Sequence, residues 1–157
     1  MAKYEINNTN AGTRQALTAT YKTILSVASS ATTRRIKITD LMYGLDGAPN
    51  ATDTFATWDM SRITAAGTAT ATTPLPLDPA DSAALSTAAA NHTVEPTVTA
   101  ASSLWVHALN QRASQRWAAV PGSELVGPAT SAAGFAMRVL SGGYTGTSVG
   151  SIYFEEQ

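Results

Sequence analysis

Three stretches decide the fold class: Arg116-Trp117-Ala118-Ala119-Val120-Pro121-Gly122-Ser123-Glu124-Leu125-Val126, then Gly134-Phe135-Ala136-Met137-Arg138-Val139, then Ser151-Ile152-Tyr153-Phe154-Glu155-Glu156. Each is a short run broken by turn residues such as Pro121-Gly122, Gly127-Pro128 and Gly142-Gly143. Phe135, Met137 and Val139 fall on one side of a pleated strand and Arg138 on the other. Ile152 and Phe154 oppose Tyr153 in the same way. Alternation with period two is the mark of a strand with one buried face.

The same period runs upstream. From Leu17 the odd positions read Leu17, Ala19, Tyr21, Thr23, Leu25, Val27, which predicts one long strand. Arg35-Ile36-Lys37-Ile38-Thr39 places Ile36 and Ile38 inward. Ala56, Trp58 and Met60 oppose Thr57, Asp59 and Ser61. Leu104-Trp105-Val106-His107-Ala108-Leu109 is apolar on both faces and reads as a central strand. Asn10-Ala11-Gly12 and Asp46-Gly47-Ala48-Pro49 supply further turns. One helix is expected. Asp78 is a good N-cap, Pro79 suits the first helical position and Asp81 the first turn; Ala83, Ala84, Leu85 and Ala88-Ala89-Ala90 follow, and Asn91 ends it. The Ala65–Thr73 run before it lacks periodicity and reads as a long connection. The expected fold is therefore all-β: an antiparallel β-sandwich or jelly roll of about eight strands with one short helix in a connection. Residues 1–10 are expected to form an N-terminal arm and residues 11–157 the jelly-roll domain.

A chain of 157 residues suggests a single domain. Only 13% of residues are charged and the formal net charge is −1. No basic field is present to attract nucleic acid. So sparse a charge suits a surface partly covered by partners, or one kept soluble by its many Thr and Ser hydroxyls. Cysteine is absent, which excludes disulfides and thiolate metal sites. Met1-Ala2-Lys3-Tyr4-Glu5-Ile6 has no apolar core of a signal peptide, and no apolar run approaches the ~18 residues of a membrane span. Synthesis and folding in the cytoplasm are expected.

The chemistry-bearing residues are few. Gly146-Thr147-Ser148-Val149-Gly150 matches the nucleophile-elbow pattern, but the pattern needs a following helix and a downstream His, and neither is present. It reads as a turn between strands. His92 and His107 are the only histidines and lack a carboxylate at ligand spacing. Glu155 and Glu156 would face opposite sides of a strand and read as a solvated strand end. Arg34-Arg35-x-Lys37 is the densest basic stretch, with Arg35 and Lys37 on one face; it reads as a solvated face or one half of an ion pair between subunits. The Asp40, Asp46, Asp53, Asp59 series lacks calcium-loop spacing. No catalytic residue, cofactor or metal is expected. Trp58, Trp105 and Trp117 read as core. Arg116-Trp117 is expected to be split, with one side chain toward the core and the other toward a neighbour.

Several segments carry a resemblance: Tyr4-Glu5-Ile6, Leu17-Thr18-Ala19-Thr20-Tyr21-Lys22-Thr23, Arg35 to Gly44, Pro76-Leu77-Asp78-Pro79-Ala80-Asp81, Trp117 to Thr130, and Tyr144-Thr145-Gly146-Thr147 with Tyr153-Phe154-Glu155-Glu156. Together they resemble the head decoration (cement) proteins of tailed bacteriophages and cyanophages, over most of the chain and through strand-and-turn patterns. The resemblance implies a non-enzymatic jelly roll on the outer capsid surface of a virion. It implies a homotrimer at three-fold positions that bridges major capsid protein subunits, with no nucleic acid or membrane partner. The expected interface residues are Tyr4, Ile6, Arg35, Lys37, Arg116 and Trp117, with Tyr4 and Ile6 anchoring the arm on a neighbour. The alternative expectation is a phage tail or head-fibre jelly-roll module that binds host-surface glycans.

Overall fold

The computed structural model describes residues 1–9 and 12–157. Among them are thirteen strands and no helix. They are β1 (Lys3–Asn7), β2 (Gln15–Ala16), β3 (Lys22–Ala28), β4 (Ile36–Asp46), β5 (Phe55–Ala65), β6 (Thr68–Thr72), β7 (Leu75–Pro76), β8 (Thr87–Val94), β9 (Thr97–Asn110), β10 (Ser114–Ala118), β11 (Leu125–Val126), β12 (Gly134–Ser141) and β13 (Thr147–Glu156). They form two antiparallel sheets packed face to face, the expected all-β sandwich. One sheet runs β10-β4-β13-β1-β7, with β11 on β4 and β2 on β13; the other runs β6-β8-β3-β12-β5-β9.

The alternation read from sequence decides which side chains meet between the sheets. Tyr4, Ile6, Ile36, Ile38, Leu41, Ile152 and Phe154 come from the first sheet. Leu25, Val27, Trp58, Met60, Phe135, Met137 and Val139 come from the second. Two bulges correct the phase. Tyr153 pairs Asp40 but Phe154 pairs Ile38, so Thr39 is skipped. Met137 pairs Leu25 but Arg138 pairs Thr23, which turns Ile24 inward beside Leu25.

Four expectations fail, each for a tertiary reason. The helix at Asp78–Asn91 does not form. Asp78 closes only a local turn, accepting from the Ala80 amide at 2.9 Å and the Asp81 amide at 3.0 Å. The Ala run joins β8 instead, with Ala88 and Ala90 buried between β3 and β6, so sheet pairing outweighs helix propensity. The aperiodic Thr/Ala run contains the edge strand β6. The long strand expected from Leu17 starts only at Lys22, because the Leu17 amide bonds the Gly146 carbonyl. Leu104–Leu109 is on an edge rather than in the centre, since β9 pairs β5 alone.

The expected N-terminal arm is described only in part. Its boundary at residues 10 and 11 lies outside the described residues, as does most of the expected Asn10-Ala11-Gly12 turn. Lys3–Asn7, however, is an interior strand of its own sheet, between β13 and β7. Tyr4 and Ile6 are core residues of their own chain.

β5–β6 and β8–β9 form one long two-stranded ribbon. Ala65 pairs Thr97 and Thr68 pairs Val94 on either side of a two-residue bend. One half of the ribbon flanks β12 through β5, and the other flanks β3 through β8. The ribbon therefore folds over the outer face of β3 and β12.

Gly134 begins β12 where it lies tightest against β3. A Cβ there would sit 2.6 Å from the Ala28 Cα and closer still to the Val27 carbonyl. Both obstacles are backbone, so Gly134→Ala is expected to lower stability by about 3 kcal/mol. Urea unfolding checks this: a midpoint unchanged from the parent would refute the packing described.

Candidate functional site

The outer face of the seven-stranded sheet carries most of the charge. Register places three rows across it: Lys3–Glu155–Lys37, Glu5–Tyr153–Asp40–Ala118, and Asn7–Ser151–Met42–Arg116. The outward residues of β1 and β13, and Lys37, are the odd phase of strands whose even phase is core; past the bulge at Thr39 the phase of β4 reverses, so Asp40 and Met42 face outward and Leu41 and Tyr43 inward. Arg116 grips Asp40 with two contacts from Nε, at 2.8 and 3.1 Å, and a further one from Nη2. This pairing raises the Arg116 pKa, the Asp40 hydrogen bond being the main cause. Lys37 lies 3.1 Å from Glu124 and 3.5 Å from Glu155, and Lys3 lies 3.7 Å from Glu155. Lys37 is raised, first by the Glu124 hydrogen bond. Glu124 is lowered, first by its own backbone amide and then by Lys37.

Beside these ion pairs is an open groove of about 580 Å³ between β10 and the Asn7–Thr9 segment. Met42, Gly44, Val149 and Ser151 form its floor, and Ser114, Gln115, Arg116, Asn7 and Thr9 its walls. The floor is apolar and the walls carry amides, hydroxyls and a guanidinium. That arrangement suits a polyhydroxylated or peptide-like ligand better than a free anion, because the cation is already paired.

The six expected interface residues separate. Lys37 and Arg116 share the outer face, and Arg35 is exposed at its end, its Nε 3.3 Å from the Gly127 carbonyl. Trp117 turns the other way and packs on the core, so Arg116-Trp117 is split between outside and inside. Tyr4 and Ile6 face inward and present nothing to a neighbour.

The catalytic patterns dissolve on inspection. Ser148 is buried, its hydroxyl 3.3 Å from the Gln15 carbonyl. Gly146 does lie in a turn, but the turn links strands of opposite sheets rather than a hairpin. His107 Nδ1 is 2.7 Å from the Tyr43 hydroxyl, within a cluster with Trp105 and Trp58, and burial raises the Tyr43 phenol pKa. Glu155 and Glu156 do face opposite sides, but neither is a solvated end. Glu155 pairs the two lysines, and Glu156 accepts from the Ser86 amide at 2.7 Å and the Leu85 amide at 3.1 Å. Among the described residues no group of three His, Asp or Glu side chains converges as metal ligands.

Two features escaped the sequence reading. The first is the free edge of β9. Trp105, His107 and Leu109 turn toward the core, while Leu104 is 38% and Val106 58% exposed. No residue from Thr97 to Asn110 is charged. Natural edge strands are usually blunted by Lys, Pro, bulges or short length; bulges interrupt the Thr97–Ser103 part of this one, but Trp105–Asn110 pairs regularly and carries none of these. The alternating pattern was visible, but read as two buried faces. The second is a polar network under the folded ribbon. Asp59, only 2% exposed, accepts from Arg138 Nε at 2.8 Å and from the Ser61 hydroxyl at 2.6 Å, and also bonds the Ser103 hydroxyl. Arg138 Nη2 reaches Ser61 at 2.9 Å, and its guanidinium lies over the Tyr21 ring at 4.6 Å. Asp59 and Arg138 each showed only as the polar phase of a strand.

Breaking the Asp59–Arg138 pair from one side strands a buried charge. Asp59→Ala is expected to cost about 3–5 kcal/mol, and adding Arg138→Met to recover most of that loss. Denaturant unfolding of both variants checks this; equal losses would show that the charges are not coupled. Arg116→Ala, on an exposed pair, is expected to leave the melting temperature unchanged. No protein-family model, no curated protein and no solved structure matches this chain.

Proposed function

We propose that this chain is a non-enzymatic virion structural protein that decorates the outer surface of a tailed-phage capsid. In this reading it assembles as a trimer at three-fold positions and bridges major capsid protein subunits. The strand-and-turn resemblance supplies the identity of the shell. The observation that carries a binding role is the unblunted edge of β9, with Leu104 and Val106 exposed on an uncharged strand. Such an edge offers a partner main-chain hydrogen bonds together with apolar side chains. The shared ionic face adds Lys37, Arg35 and Arg116 as rim contacts.

The mechanism is linkage. A molecule that binds the assembled shell but not its loose subunits stabilises the shell in proportion to its occupancy. Three copies about one axis convert weak single contacts into durable attachment through effective concentration. A rigid sandwich suits this task, because little ordering entropy is lost on docking.

Light scattering after size exclusion is expected to give about 49 kDa, three times the 16.3 kDa chain. The protein is expected to sediment with phage heads and to raise their disruption temperature, and Val106→Asp to abolish both effects without lowering its own melting temperature. A protein that neither sediments with heads nor protects them overturns the proposal. The groove beside Arg116 favours one alternative, a tail or head-fibre module that binds host-surface glycans. A glycan-array signal lost in Arg116→Ala, with no head binding, would replace the first reading with this one.

A further inference from the structure

The ribbon bend is built for close approach. Gly67, at a φ of +70°, faces the Glu95-Pro96 backbone, and a Cβ there would lie 2.8 Å from the Pro96 nitrogen. Two side chains of the bend region then tie it to β3. Glu95 Oε2 accepts from the Thr23 amide at 2.9 Å and the Thr23 hydroxyl at 2.6 Å, and Oε1 lies 3.5 Å from Lys22 Nζ. His92 is 1% exposed, and its Nε2 meets the Ser26 hydroxyl at 3.1 Å. Its Nδ1 is buried without a hydrogen bond, with the Thr23 and Ala66 carbonyls alongside.

We propose that this bend is an acid-releasable latch: neutral His92 holds the folded ribbon against β3, and its protonation lifts the ribbon while the sandwich beneath stays folded. The imidazole is sealed between β3 and the bend, out of contact with solvent. The charged groups near it are Lys22 and Glu95, and Arg138 with Asp59 follow in the row of Thr23. Glu95 already serves Lys22 and both Thr23 donors, and Asp59 serves Arg138, so each carboxylate is committed. A proton on His92 finds only the Thr23 and Ala66 carbonyls beside it and no free carboxylate to pair the buried charge.

Burial lowers the His92 pKa below its ordinary value of 6.5, and this outweighs the pull of Glu95 and of the Thr23 and Ala66 carbonyls. A histidine with a depressed folded-state pKa contributes full stability above pH ~6.5, and that contribution is lost as pH falls through the folded value. The lost contribution falls on the bend, since Ile152, Phe154 and the rest of the core carry no titratable partner of His92. Lifting the ribbon would uncover Ser26, Ser61 and Asp59, a polar face of quite different character from the apolar edge of β9.

The test is amide hydrogen exchange, corrected for intrinsic rates, at about pH 7.5 and about pH 4.5. Thr23, whose amide bonds Glu95, and residues 92–97 are expected to lose protection by about tenfold or more, while Ile152 and Phe154 keep theirs. In His92→Gln, which retains a polar contact to Ser26, the protection of Thr23 is expected not to change with pH. Unchanged protection at Thr23 in the parent protein, or the same pH response in His92→Gln, overturns the latch. Should the variant fail to fold, the ring carbon shifts of His92 decide: titration together with the loss of Thr23 protection supports the proposal. A ring that stays neutral through that range, or titrates without any change at Thr23, refutes it.

Discussion

A column of aromatic rings sets the spacing of the two sheets, and the rest of the structure follows from it. Tyr43 stands on β4 of one sheet, with its ring centroid 5.0 Å from Trp58 on β5 and 4.9 Å from Trp105 on β9. His107 closes the group through the Tyr43 hydroxyl. Rings of this size hold facing sheets near the ~10 Å separation at which aliphatic side chains interdigitate. They also decide how β9 is oriented. Once Trp105 and His107 turn inward, the strict alternation of a strand forces Leu104, Val106 and Ala108 outward. An exposed apolar edge is thus the direct result of placing a tryptophan where the core needs one.

The polar side chains divide between two environments. On the outer face of the seven-stranded sheet, Lys3 and Arg116 reach into water, so their ion pairs hold geometry and contribute little to stability. On the outer face of the other sheet, the folded ribbon excludes water, so Asp59 and Arg138 are coupled and costly to separate. A chain with only 13% charged residues commits many of them to these two arrangements. Solubility of the remainder then depends on Thr and Ser hydroxyls along exposed strands such as β6.

Much of the fold was legible because its strands alternate cleanly. Ile36 and Ile38, Trp58 and Met60, Phe135, Met137 and Val139, and Ile152 and Phe154 were all assignable to the core by period two, and all are buried. What was not legible depends on contacts between distant segments. Ala88-Ala89-Ala90 favours a helix locally, and only the pairing of β8 with β3 and β6 makes it a strand. Tyr4 and Ile6 follow the pattern of any short strand, and nothing local says that β13 is waiting to receive them. The ribbon was hidden because Thr68–Thr72 has no apolar phase to detect. Asp59 and Arg138 therefore read as solvent-facing, although a segment far along the chain lies over them. Lys37 and Arg116 were found as charges on strand faces, while the groove beside them needs β10 and β1 at their spatial distance, which no spacing in sequence encodes.

The position of β13 has a consequence for how the molecule comes into being. It follows every other strand in chain order, yet it lies in the middle of its sheet, bonded to β4 along ten residues and to β1 near the opposite end of the chain. Until it emerges, β1 and β4 have no common neighbour, and their apolar faces wait uncovered. Folding by way of such distant pairings is slow, and the incomplete chain is the state most exposed to misassociation. This late strand is the one that turns two separate edges into a single sheet, so the core cannot close before β13 has been made.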